Sequence, residues 1–361
     1  MSWRAFRGAD GTARRIGAAP EGVLGQGTLI LEFDGAALAQ SCGPILRVEP
    51  SQEPQRIFAI DRRRDGDLSL LLRNGPAASH LAVTMPETAA SGPLHAVYRW
   101  RCESGDSLLT IGNGETRTAR YRGRGPVPAI AGDQITALFT SRRGAFRHPA
   151  ITGIAFADHL LPLGPLPGLI AGTSVTTPNG PRSVETLRTG DLVLTAENAW
   201  QPVRWQGGVE LPALAGYAPI RFHAPYHGLE RDLVVLPDQR VALAGPDIEY
   251  LFGAERILVR ARDLVDGRTA ATEPMRMATL HCHAVLLDRP EVIQVSGGWV
   301  QSLDLAFMAH HPGRAALSVC AEVFRAGHMP LHARSPYRLL HAFEAAELKH
   351  IRDRHRAPFA M

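Results

Sequence analysis

The chain has 361 residues, enough for two or three domains with a sizeable core, and a formal charge of +4. So small and dispersed a charge on so long a chain does not by itself imply a nucleic-acid partner, and none is expected; no apolar run reaches membrane-spanning length. Hydrophobic residues at 45% and charged residues at 20% are ordinary for a globular protein, while 35 Gly and 27 Pro favour a turn-rich, β-dominated chain. The four cysteines, Cys42, Cys102, Cys282 and Cys320, are widely separated and form no C-x-x-C, so they read as small buried thiols. Met1 to Gly8 lack the apolar segment of a secretory signal. Glycine- and aspartate-rich nonapeptides of a calcium-binding β-roll are absent from the sequence. The expected location is the cytoplasm, or outside the cell by a route with no visible signal.

Residues 1–160 read as short strands: Thr28–Phe33, Arg56–Asp61, Leu68–Arg73, Leu81–Met85, His95–Arg101, Leu108–Ile111, Arg117–Tyr121 and Ile135–Thr140. Turn signals lie between them at Asp10-Gly11, Asp34-Gly35, Asp65-Gly66, Asn74-Gly75, Ser91-Gly92 and Asn113-Gly114. This rhythm predicts a sandwich or barrel with no helix in the first half. Alternation along His95–Arg101 puts Ala96, Tyr98 and Trp100 on one face, expected in the core. Arg62, Arg63 and Arg64 lie between Asp61 and Asp65, the pattern of a solvated hairpin with self-paired charges. The strand succession resembles, loosely, the concanavalin-like jelly rolls of laminin-G and lectin modules. A glycan or cell-surface ligand is what that likeness would imply.

Leu160 to Gly168 is rich in Pro, Gly and Leu, a composition that bars helix and favours an extended linker. It marks the expected boundary between a first domain (1–160) and a second β-rich domain (169–312), with the linker at 161–168. His223 and His227 read as an exposed loop, and His310 to Gly313 as a turn after the second domain. A C-terminal extension (313–361) should hold a helix over about 337–354. Pro336 would open it, Leu339, Phe343 and Ala346 would mark one face, and Lys349, Arg352 and Arg354 would load its end.

Four segments of the second block recur in order. Gly168-Leu-Ile-Ala-Gly-Thr-Ser174 leads through the Pro178-Asn-Gly180 turn to Thr189-Gly-Asp191 and a second strand. Trp200-Gln-Pro-Val-Arg-Trp205 follows. Next come Leu233-Val-Val-Leu-Pro-Asp-Gln239, Tyr250-Leu-Phe-Gly253 and Asp263-Leu-Val-Asp-Gly267. The last is Asp288-Arg-Pro-Glu-Val292 with Gln301-Ser302. The set resembles the Hint (Hedgehog/intein) family, in its bacterial branch. The resemblance implies an all-β horseshoe fold and self-cleavage of the peptide bond before the first Hint residue. A thiol or hydroxyl there attacks the preceding carbonyl, and a histidine in the third segment polarises the amide and protonates its nitrogen.

Against that pattern, three positions here carry residues unable to do the chemistry. Gly168 stands where the nucleophile belongs, Gln239 where the histidine belongs, and Pro290 in place of a further imidazole. An amide cannot exchange a proton near neutral pH. Other candidates are weaker. Thr173 and Ser174 lie inside the strand motif, where a hydroxyl serves packing or a backbone bond. Cys282 is flanked by His281 and His283, but on a strand it faces away from both. His281 and His283 share a face and offer two metal ligands, with no further set at zinc spacing. The expectation is therefore a degenerate, non-cleaving Hint module with an unknown protein or glycan partner and no cofactor. The alternatives are autoproteolysis near Pro167-Gly168 by an unorthodox nucleophile, and glycan binding through the N-terminal sandwich.

Overall fold

The computed structural model describes residues 3–8, 13–15, 22–49, 55–86, 93–113, 117–122, 125–140, 145–197, 199–308, 315–328, 330 and 332–356. The turns expected at Asp10-Gly11 and Ser91-Gly92, Gly114 of a third, and the turn at His310 to Gly313 lie outside these residues. The chain is mainly β and divides into two compact units. One comprises Met1–Leu161 with Leu211–Tyr217 and Met277–Thr279. The other comprises Pro162–Glu210, Ala218–Arg276 and Leu280–Met361. Against the continuous block expected at 169–312, the two short segments 211–217 and 277–279 thus pack with the first unit.

The first unit is a β-sandwich. Strand Gln26–Asp34 lies between Pro93–Arg101 and Ile151–Ala157 in a seven-stranded antiparallel sheet. The facing sheet has five strands, centred on Arg56–Arg62. Leu29, Leu31, Phe33, Tyr98 and Trp100 of the first sheet share one buried cluster with Phe58, Ile60, Leu68, Leu70 and Leu72 of the second. Alternate residues from both sheets thus fill the space between them, as sandwich packing requires. The expected alternation holds at Tyr98 and Trp100, which stack at 5.4 Å and are shielded from solvent. Arg63 pairs with Asp65 at 3.2 Å in the expected hairpin.

Two short helices correct the all-strand expectation for this half. Gly35–Gln40 is capped by Asp34, whose carboxylate accepts from the N–H of Ala37. The segment read as strand Ile135–Thr140 is instead part of helix Gly132–Phe139. Its β-branched and aromatic residues favour strand, but Ile135, Leu138 and Phe139 recur at helical spacing and reach the core together. At its start, Gln134 Oε1 accepts from the N–H of Ala131 at 3.2 Å.

The second unit holds a six-stranded and a seven-stranded sheet. Ser174–Thr177 and Gly180–Ser183 form the hairpin read from the Pro-Asn-Gly turn. Val292–Val295 and Gly298–Gln301 form another, turning through Ser296 and Gly297, both at positive φ, as a two-residue type I′ turn demands. The C-terminal helix spans Ala342–Arg356, later than expected. Arg338 and Leu339 are drawn instead into a parallel pairing with Ile257 and Leu258. Glu344 then caps the helix by accepting from the N–H of His341 at 2.8 Å. Its core face is Ala345 and Leu348, not Phe343 and Ala346, which are exposed. Arg352 anchors the last turns to Asp247 at 2.6 Å.

Candidate functional site

The short strand Leu169–Ile170 sits between two others. Leu169 pairs with Val235 on one side and His283 on the other, and Ile170 pairs with Cys282. The Gly168 carbonyl accepts from the N–H of Leu236 at 2.8 Å. Gly168 is thereby fixed at the mouth of the turn Leu236-Pro-Asp-Gln239, whose closing bond runs from the N–H of Gln239 to the Leu236 carbonyl at 3.0 Å.

That turn brings two of the three substituted positions into contact. A Cβ built on Gly168 would stand 2.1 Å from Oε1, 2.9 Å from Cβ and 3.0 Å from Cδ of Gln239. The space a nucleophile's side chain needs is therefore filled by the Gln239 side chain. It is held there: Nε2 of Gln239 donates to the Gln301 carbonyl at 2.9 Å and to that of Arg240 at 3.2 Å. Arg240 in turn donates to Gln301 Oε1 at 2.7 Å and to Asp304 at 3.1 Å. Gln301 Nε2 and Ser302 Oγ are buried here without a hydrogen-bond partner among the described residues.

Pro290 is buried. Glu291, next in the chain, accepts from the N–H of Ser302 at 2.8 Å, adjacent to the Gln301 that holds Gln239. The turn containing Pro290 is braced by a two-pronged ion pair, Arg204 to Asp288, at 2.8 and 2.6 Å.

The remaining candidates fall around strand Leu169–Ile170. Thr173 Oγ1 donates to the Ile170 carbonyl at 2.6 Å, and Thr173 is 8% exposed, so its hydroxyl is committed to the backbone. Ser174 pairs with Ser183 in the hairpin. Cys282 is fully buried, and burial pushes its thiol up to about 12. His283 is half-buried, with Nδ1 3.0 Å from the Gln206 amide nitrogen. If that amide donates, the neutral ring carries its proton on Nε2. Burial, above all, holds the His283 pKa below the usual histidine value. Its imidazole is thus mainly neutral at pH 7, on the residue paired with Leu169, the neighbour of Gly168. His281 is exposed. No cluster of three His, Cys, Asp or Glu side chains able to hold a metal ion occurs among the described residues. No described helix is long and apolar enough to cross a membrane.

Thiol reactivity should follow this burial. Near neutral pH, iodoacetamide should label exposed Cys42 readily and leave Cys282 and Cys320 untouched until denaturant is added. Peptide mapping of the labelled chain checks this; rapid labelling of Cys282 in the folded protein would contradict it.

A short first strand thus lies between two others, its leading residue set against a tight turn that presents one polar side chain. Residues 167–306 match the family model of the Hint domain, and this block of the chain is a Hint domain. Among solved structures, the chain is similar to a bacterial intein-like domain from Clostridium thermocellum, with 14% identity over 39% of this chain and 100% of that one, TM-score 0.28. It is also similar to the AceL NrdHF class 3 split intein, with 16% identity over 38% and 98%, TM-score 0.27. A third is CBM40 of the Ruminococcus gnavus IT-sialidase bound to alpha2,6 sialyllactose, with 17% identity over 38% and 79%, TM-score 0.26. Comparison with curated proteins returns no match.

Proposed function

We propose that the Hint domain of this chain no longer cleaves itself and serves as a structural or interaction module. The observation that carries this reading is the occupation of the side-chain space at Gly168 by Gln239. Self-cleavage by the family's route needs a nucleophile on the residue after the scissile bond and a proton donor for the departing nitrogen. Here the first position has no side chain, and the second holds an amide that fills the gap and cannot titrate. The hydroxyl of Thr173 is spent on Ile170, and the Cys282 thiol is buried and protonated. What survives is the scaffold: the threaded strand, the turn and the bonds that fix Gln239.

Intact-mass measurement tests the reading. Purified full-length protein, incubated near neutral pH with dithiothreitol or hydroxylamine, should remain one species of full mass. Two fragments meeting at Pro167-Gly168 would overturn the proposal and establish an unorthodox nucleophile instead.

A further inference from the structure

We propose that the sandwich unit binds a small oxyanion, a carboxylate or a phosphate, in a cavity between Arg7 and Arg147. The cavity is about 210 Å³. That is room for on the order of seven waters, below the size of a drug-like pocket, and it suits a compact anion or the charged end of a larger molecule. Arg7 ends strand Trp3–Arg7, where it pairs with Ile154. Arg147 ends strand Ala145–Arg147, and His148 follows it. All three line the cavity together with Thr152, and no Asp or Glu lines it among the described residues.

The guanidinium of Arg147 is fixed in place. Its Nη1 donates to the carbonyls of Ala137, Leu138 and Thr140 at 3.2, 2.9 and 2.9 Å, at the end of helix Gly132–Phe139. These neutral acceptors orient the group but do not cancel its charge. The imidazole of His148 is oriented too: Nδ1 accepts from the N–H of Ala150 at 3.1 Å. That places the neutral ring's proton on Nε2, a third donor among the lining residues. Arg7 has no ion pair among the described residues. Burial, and secondly the charge of Arg7, hold the Arg147 pKa below the ordinary arginine value. Two cations therefore face one cavity that no described carboxylate lines, an arrangement an entering anion would stabilise. A guanidinium can donate two parallel hydrogen bonds to a pair of oxygens of a carboxylate or a phosphate.

The test uses the full chain and follows its melting temperature against sodium acetate, sodium glucuronate and sodium phosphate. Sodium chloride at equal ionic strength is the reference. At least one oxyanion should raise the Tm beyond chloride; acetate and glucuronate assign a carboxylate site, phosphate alone a phosphate site. Arg7→Gln should weaken the affinity about tenfold, the loss of one charged hydrogen bond, while raising the Tm of the anion-free protein. Arg7→Glu, which supplies a counter-charge internally, should abolish the response altogether. No rise beyond chloride in the natural protein, or an equal rise in Arg7→Gln, would overturn the proposal.

Discussion

Gly168→Cys alone should give a destabilised and inert protein, whereas Gly168→Cys combined with Gln239→His should break at Pro167-Gly168 when thiol is added. The backbone at Gly168 does not lie in the left-handed region, so conformation permits a side chain there; only space forbids it. A Cβ 2.1 Å from Gln239 Oε1 must push that amide aside. The amide is tethered to the Gln301 carbonyl, so the shift also loses a hydrogen bond. Overpacking of this kind costs about 1–3 kcal/mol. Replacing Gln239 by histidine removes Oε1 from the contact and introduces a group that can give a proton. The thiolate could then attack the Pro167 carbonyl carbon while the ring protonates the departing Gly168 nitrogen, leaving a thioester that external thiol resolves. The stability losses of Gly168→Ala and Gln239→Ala should be non-additive, the pair together costing about 1 kcal/mol less than the sum, since they share one contact. Additive losses by urea unfolding, with an inert double variant, would mean that Gly168 and Gln239 are not a matched pair.

The Hint framework could be read from the chain because its turns have obligatory residues. Pro178-Asn179-Gly180 can only be a turn, and Gly180 does take positive φ. The substitutions at Gly168 and Gln239 are just as legible: a glycine has no side chain and an amide does not titrate, whatever the fold. Their direct contact was not visible, because it depends on how the Leu236 turn sets its fourth residue against a strand far off in sequence. Pro290 shows the converse. Its substitution stands out in sequence, and the backbone bond it leads to, from the N–H of Ser302 to the Glu291 carbonyl, is set by the fold. In the sandwich, strand rhythm gave the sheets but hid helix Gly132–Phe139. Six residues rich in Ile, Thr and Phe satisfy strand propensity, and only packing selects the 135, 138, 139 face. Segment 211–217 was also unreadable, although one signal pointed to it: Glu32, a carboxylate inside the apolar run Leu29-Ile-Leu-Glu-Phe33, has to find a partner.

That carboxylate carries the largest stability effect expected in the chain. Glu32 is 1% exposed and accepts three hydrogen bonds: from His95 Nε2 at 3.0 Å, Gly216 N–H at 2.5 Å and Thr152 Oγ1 at 3.2 Å. Tyr217 stacks on the His95 ring at 4.5 Å. A Cβ on Gly216 would lie 2.4 Å from the same ring, so the segment docks at that point only as glycine. Burial alone would raise the Glu32 pKa, but the bond and charge of His95, with the Gly216 and Thr152 donors, outweigh it and hold the pKa below the usual carboxylate value. Glu32→Ala leaves three donors unpaired, the buried His95 imidazole among them, and should cost about 3–5 kcal/mol. Glu32→Gln keeps the shape but sets an amide where a charge was solvated by donors, and should cost about 1–3 kcal/mol. The pH dependence has a fixed sign. A depressed folded-state pKa contributes stability in full above the unfolded value of about 4.3 and loses it as pH falls through the folded value. The stability gap between the natural protein and Glu32→Gln should therefore hold constant above about pH 5 and close as the solution is acidified below about pH 4. Urea unfolding of both chains across that range decides it. A gap that stays open in acid would mean the three donors stabilise shape and not charge, and a negligible loss in Glu32→Ala would mean segment 211–217 is held by Leu214 and Tyr217 without the carboxylate.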